Sequence, residues 1–265
     1  MHPENLETKN PSVEKLEGKA RAMIDLYLAL PIGTKPSCPY FNNRRRNTRS
    51  QLRVLKGKGS PQEIVEEAEI EAKYSRVNTA ALSTDKLKEF LISLDLGVDC
   101  SGFAYHVLNS LSQERTGKSI QSFVRSNRQG FMGSFIARLR PAENMGVSTF
   151  ADDKNSTVIR ASEARPGDIV TLLGAGKDGT YNHMMVITGT EKQDGDIRIS
   201  YAHSYAWPSD GTVGHGVREG DILVHEDDLL GGTWKEKGEV GSSNYTYESA
   251  KTAKSLALRR LNFLA

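Results

Sequence analysis

Gly97-Val98-Asp99-Cys100-Ser101-Gly102-Phe103-Ala104-Tyr105-His106-Val107-Leu108 places a cysteine at the mouth of a helix. From Phe103 onward apolar residues fall at 103, 104, 107, 108 and 111, the spacing of one helix face. Asp99 has the short polar side chain suited to an N-cap. Cys100 precedes Phe103 and Ala104 by three and four residues, so it shares their inward face. A thiol there meets free N–H groups and the positive end of the helix, and both favour the nucleophilic thiolate. The competing reading is an inert cysteine in a core helix. Small Ser101 and Gly102 argue against it, since they are expected to leave the approach to the sulfur open.

A cysteine nucleophile needs a base, and the base needs a group that orients it. Two of the six histidines stand in suitable places. Arg165-Pro166-Gly167-Asp168 predicts a turn, and Ile169 to Leu173 a strand. A glycine-rich loop leads to Asn182-His183-Met184-Met185-Val186-Ile187-Thr188-Gly189, with His183 opening an apolar strand. A turn around Asp194-Gly195-Asp196 then leads to a third strand, Ile197 to His203. Because these two strands pair antiparallel, the start of one and the end of the next bring His183 and His203 to the same end of the sheet.

Asp-Cys-Ser-Gly-Phe opening a helix, Pro-Gly-Asp before a strand, a histidine opening the next strand and a histidine ending a third is an order that resembles the NlpC family of papain-like cysteine peptidases. The resemblance covers roughly residues 97–225. It implies Cys100 as nucleophile, His183 as general base and acid, and His203 as the polar orienter. It also implies a papain-like fold and a cell-wall peptide substrate, cut beside a D-glutamyl residue. Such a triad works without a metal or organic cofactor. The family carries a Pro-Tyr pair shortly before its cysteine motif, whose tyrosine helps hold the substrate's N-terminal end together with the Asp before the cysteine. Here the pair is Pro39-Tyr40, after a helix ending at Leu30 and after Gly33. The expectation is an opening split by a helical insertion over roughly 43–85, with Tyr40, Asp99 and Ser101 at the substrate end and Cys38 nearby. The alternative is an ordinary turn on a separate helical subdomain.

The 265 residues suit a single domain spanning 1–265, and 37% hydrophobic with 26% charged residues allow a buried core. A formal net charge of +2 is too small to point to nucleic acid. Two cysteines make no disulfide framework. No apolar run is long enough to span a membrane. The N-terminus lacks the basic and apolar regions of a secretory signal, unlike the exported members of the family. A cytoplasmic protein, or one exported by another route, is expected. Nothing in the pattern speaks to oligomeric state.

Along the rest of the chain, Asn10-Pro11 predicts a helix start, with Val13, Leu16, Ala20, Met23, Ile24, Tyr27 and Leu28 as its stripe. Arg44 to Lys58 is a basic run, read as pairing with the acidic helix downstream or as a patch for an anionic polymer. Ser60-Pro61-Gln62-Glu63 is a capped helix start, and a second helix lies near Thr84 to Leu94. Phe131, Phe135, Ile136 and Leu139 suit a short helix, and Asp152-Asp153 a solvated turn. Tyr205 and Trp207 either line a groove or cap the core. His215 and His225 read as surface residues, and Ile222 to His225 as a strand. Ser249 to Leu264 reads as a last helix. The fold expected is α+β, helices on an antiparallel sheet of about five strands. The function expected is thiol-dependent hydrolysis of a peptide or amide bond, a peptidoglycan stem peptide being one candidate substrate. Other acyl chemistry at the same site (deamidase or acyltransferase) and a degenerate binding module are the alternatives.

Overall fold

The computed structural model describes residues 12–42, 53–126, 140–193, 195–237 and 244–265. In chain order its elements are β1 (Ser12–Lys15), α1 (Gly18–Leu28), α2 (Pro61–Tyr74), α3 (Thr84–Ser93), α4 (Cys100–Thr116), α5 (Pro141–Asn144), α6 (Val147–Phe150), β2 (Ser156–Ile159), β3 (Ile169–Ala175), β4 (Tyr181–Gln193), β5 (Asp196–Tyr205), β6 (Gly216–His225), β7 (Asp228–Glu236), α7 (Tyr245–Thr252) and β8 (Ser255–Leu261). The architecture is α+β. All strands join one antiparallel sheet of eight, ordered β2-β8-β3-β4-β5-β6-β7, with β1 continuing the β3 side of β4. About five strands were expected; short edge strands and β8 supply the difference. Among the described residues no helix is long and apolar enough to cross a membrane.

Helix α4 packs on one sheet face, where Phe103, Val107 and Leu108 meet α1 and Met184, Val186 and Ala202 of the sheet. On the opposite face Met185, Ile187, Ile199 and Tyr201 pack with Trp234 and with Ala250 of α7. The alternation of β4 thus sends consecutive residues to two cores. Helix α2 starts at the expected capping box: Ser60 Oγ accepts from Glu63 N–H while the Glu63 carboxylate accepts from Ser60 N–H at 2.8 Å.

Two helical expectations are corrected. Val13 lies in β1, half-exposed, and Leu16 precedes the helix, which begins only at Gly18. The stripe from Val13 was a strand followed by a helix whose apolar positions happened to stay in phase. The predicted last helix is α7 followed by β8. Leucines and arginines of 255–261 favour a helix locally, but β8 slots between β2 and β3 and is hydrogen-bonded on both sides. Its two arginines also reach separate partners. Arg260 forks onto Asp168 of the Pro-Gly-Asp turn at 2.9 and 2.7 Å, and Arg259 pairs with Asp153 and Ser156. The helix predicted around Phe131 to Leu139 lies outside the described residues.

The segments before and after 43–52 both return to the cysteine motif. Val98 pairs in parallel with Tyr40 and antiparallel with Lys58. Val98 N–H donates to Pro39 O at 3.0 Å and Asp99 N–H to Gly57 O at 2.9 Å. The chain therefore leaves the site at Tyr40 and re-enters it at Gly57, ahead of α2.

Candidate active site

Asp99 caps α4, its Oδ1 accepting from Gly102 N–H at 2.7 Å, and Cys100 occupies the first helical position. The openness expected around the sulfur is not found: Cys100, Ser101 and Gly102 are all buried. Gly102 is small for another reason. A Cβ there would stand 2.5 Å from Gly57 O and 3.2 Å from Lys58 Cα, so glycine admits the returning strand. That strand delivers Lys58, whose Nζ donates to Asp99 Oδ1 at 2.7 Å and to Ser101 Oγ at 2.5 Å. His106, one helical turn and a half further on, donates Nε2–H to Lys58 O at 2.9 Å and pins the same segment. Of the basic run, then, Lys58 joins the site, Lys56 pairs with Glu143, and Arg53 pairs with Glu63 of the acidic helix.

The sheet opens where the thiol meets it. Ile187 N–H bonds to Asp168 O on the β3 side, so by alternation residues 186 and 184 turn their backbone groups toward β5. Pairing with β5 ends at Val186–Ala202, which leaves the Met184 N–H facing a slot. The N–H groups of Met184 and Ser101 face the Cys100 sulfur. Ser204 crosses the same region, its Oγ donating to Val98 O at 2.7 Å.

His183 and His203 stand on the sheet face opposite α4, and both are fully buried. With Ala202 opposite Val186, they are diagonal neighbours on that face. His183 Nε2 and His203 Nδ1 are 2.7 Å apart. His203 Nε2 stands 3.3 Å from Glu236 Oε2 at the end of β7, and Tyr201 O–H donates to Glu236 Oε1 at 2.7 Å. The other ring nitrogen of His183, Nδ1, lies 3.2 Å from the Tyr181 hydroxyl. Tyr205 leans on the His183 ring with centroids 4.6 Å apart, so it lines the site. Trp207 does not; it is buried under the Arg218 guanidinium and donates Nε1–H to Thr246 Oγ1 at 3.1 Å.

The remaining described histidines, His215 and His225, are engaged elsewhere. His215 Nδ1 accepts from Tyr40 N–H at 3.1 Å, and exposed His225 pairs with Asp196 at 2.5 Å. Tyr40 thus has its backbone fixed by Val98 and His215, and its hydroxyl accepts from Asn42 Nδ2 at 3.3 Å. Burial raises the Tyr181 phenol well above its ordinary pKa, and the nearby acidic groups of Cys100, Tyr205 and Tyr40 add to the effect. The Tyr181 ring packs on those of Tyr205 and His183, with centroids 5.7 and 6.0 Å away. Cys38 is buried beside Pro39, and burial pushes its thiol up as well.

The resting charge state also differs from expectation. Burial and the Asp99 carboxylate push the Cys100 thiol up to about 12, against the opposing pull of Lys58 and the two N–H groups. Burial, then His203, holds His183 well below its ordinary value. At neutral pH the thiol and the His183 imidazole are therefore both uncharged, because burial opposes the ion pair that proton transfer would create.

Lys58, Tyr181 and Glu236 escaped the sequence reading. Tyr181 was within reach, since it sits two residues before His183 on a strand and shares its face. Lys58 was hidden in a basic run, and Glu236 lies between two lysines with no motif around it. No protein-family model, curated protein or solved structure matches the chain.

Proposed function

We propose that this chain is a cysteine hydrolase of papain-like architecture that cleaves a peptide or amide bond, with Cys100 as nucleophile, His183 as base and acid, and His203 as orienter. The observation that carries the reading is the 2.7 Å bond between two fully buried imidazoles on β4 and β5, one of them adjacent in sequence to Met184, whose N–H faces the Cys100 sulfur. Burying two imidazoles in contact is unfavourable for packing alone, since each has polar atoms that a hydrophobic pair lacks. It is what a base and its orienter require.

In this mechanism His183 Nδ1 takes the thiol proton as sulfur attacks the carbonyl carbon. Backbone N–H groups at the start of α4, that of Cys100 among them, meet the oxyanion. His183 then gives the proton to the leaving amine, and the acyl group stays on sulfur as a thioester. Water, deprotonated by His183, releases the acid and restores the thiol. The Tyr181 hydroxyl gives up its bond to Nδ1 in the first step, so substrate entry includes a movement of that phenol. Tyr40, Asp99 and Ser101 shape the substrate end. Asp99 is already neutralised by Lys58, which favours an acyl donor without a cation at that point.

A thiol-directed probe at neutral pH tests this reading. Labelling confined to Cys100 and lost in His183→Ala is expected; labelling unaffected by His183→Ala overturns it. Incubation with purified cell-wall muropeptides, followed by mass analysis, then asks whether the stem peptide is the substrate.

A further inference from the structure

We infer that Glu236 is a positioning residue of this site: through His203 it sets the tautomer of His183, so that Nδ1, the nitrogen turned toward the Tyr181 hydroxyl, carries a lone pair. The role rests on the hydrolase reading, while the tautomer itself is a property of the free protein.

Donors and acceptors follow one another along a single buried line. Glu236 ends β7 with its side chain fully buried, 3.3 Å from His203 Nε2. It is a carboxylate. Burial opposes that form; with His203 neutral, what favours it are the hydrogen bonds from His203, Thr246 and Tyr201. The Tyr201 hydroxyl donates to its other oxygen at 2.7 Å. A carboxylate only accepts, so a hydrogen bond across this 3.3 Å approach requires the hydrogen on His203 Nε2. In a neutral His203 the far nitrogen, Nδ1, is then an acceptor. The group 2.7 Å away is His183 Nε2, which must donate. That leaves His183 Nδ1 bare, able to accept from the Tyr181 hydroxyl 3.2 Å away and, once that phenol moves, from the thiol. Every donor in the row Tyr181, His183, His203, Glu236 points the same way. Reverse the last link and the whole row reverses, leaving Nδ1 of His183 protonated and useless as a base. The sequence holds no hint of this, because Glu236 stands 33 residues after His203 and meets it only through the β5–β6–β7 meander.

Nitrogen-15 NMR on histidine-labelled protein tests the inference. In the wild type His183 should show an unprotonated Nδ1 and a protonated Nε2. Glu236→Gln replaces the acceptor with an amide that can donate to His203 Nε2. The expected result is a reversed His183 tautomer and at least about a hundredfold slower labelling of Cys100, as loss of the orienting carboxylate does in other triads. Glu236→Asp, which keeps the carboxylate, should retain the wild-type tautomer. If Glu236→Gln does not fold, the wild-type spectrum decides alone. A His183 proton on Nδ1, or a His203 imidazolium with both nitrogens protonated, overturns the inference, as does a folded Glu236→Gln with an unchanged tautomer. A wild type with the expected tautomer but no His183-dependent labelling would instead overturn the hydrolase reading and leave the tautomer assignment standing.

Discussion

Gly102→Ala separates two roles for one residue by the sign of its effect. If Gly102 were only an interior residue of α4, alanine would stabilise the protein by about 0.5–1 kcal/mol through helix propensity. The structure gives the opposite sign. The new methyl carbon would lie 2.5 Å from Gly57 O, 3.1 Å from Val98 Cγ2 and 3.2 Å from Lys58 Cα. Two of those three atoms are backbone, so relief requires the 57–58 strand or the helix start to shift. Overpacking of this kind costs about 1–3 kcal/mol. Shifting the strand also weakens the Asp99-to-Gly57 and His106-to-Lys58 hydrogen bonds, each worth about 0.5–1.5 kcal/mol. Against the propensity gain, the net is a loss of about 2 kcal/mol. At about 2–4 °C per kcal/mol for a chain near this size, Tm should fall by about 4–8 °C. Urea unfolding monitored by tryptophan fluorescence and circular dichroism measures the same quantity, with an unchanged slope expected. A variant as stable as the wild type, or more so, would refute the close approach of the two segments.

Lys58→Met should destabilise by about 2–4 kcal/mol, because it leaves the Asp99 carboxylate, 8% exposed, without its cation; it should also shift acyl-donor preference toward substrates bearing an ammonium group, and equal kcat/KM ratios for matched charged and neutral donors in both proteins would contradict the role given to Lys58. His106 is held at about 4, chiefly by burial, against 6.5 unfolded. The unfolded chain therefore binds the extra proton first, and stability falls as pH drops from about 6.5 to 4, by about 3 kcal/mol from this residue. His106→Gln, which keeps a donor for Lys58 O, should flatten that part of the stability–pH curve, and parallel curves for the two proteins would count against it. With Cys100 pushed up to about 12, the thiolate ultraviolet band that disappears in Cys100→Ala should be missing at pH 7 and grow in only above about pH 10. A band already present at pH 6–7 would restore the resting ion pair.

What local chemistry dictates was legible in the chain itself. Asp99 before an amphipathic run specified a capped helix with Cys100 at its first position, because a side-chain oxygen three residues from an N–H is a local geometry. The Ser60 box did the same for α2. The His183 and His203 strands were readable from alternation and a turn, and a hairpin fixes which ends meet. Where two structures suited one stretch, sequence chose wrongly: 255–261 became a strand because β2 and β3 had open hydrogen-bonding edges to offer it.

The charge state and completeness of the site were beyond local reading. Desolvation of Cys100 and His183 is a sum over everything packed around them, so a helix N-terminus that favours thiolate in isolation sits here around a buried thiol. Gly102 looked like open space and proved to be the seat of another strand, since a missing side chain marks close approach and solvent access alike. Lys58, Tyr40 and Glu236 come from 42 or more residues before Cys100 or 33 after His203. Sequence alone determined the Cys100 helix and the pair of histidine strands, because each rests on contacts within a few residues or one hairpin. Only the tertiary structure decided which distant charges flank them, because those contacts depend on where the sheet order and the returning 57–58 strand bring the chain.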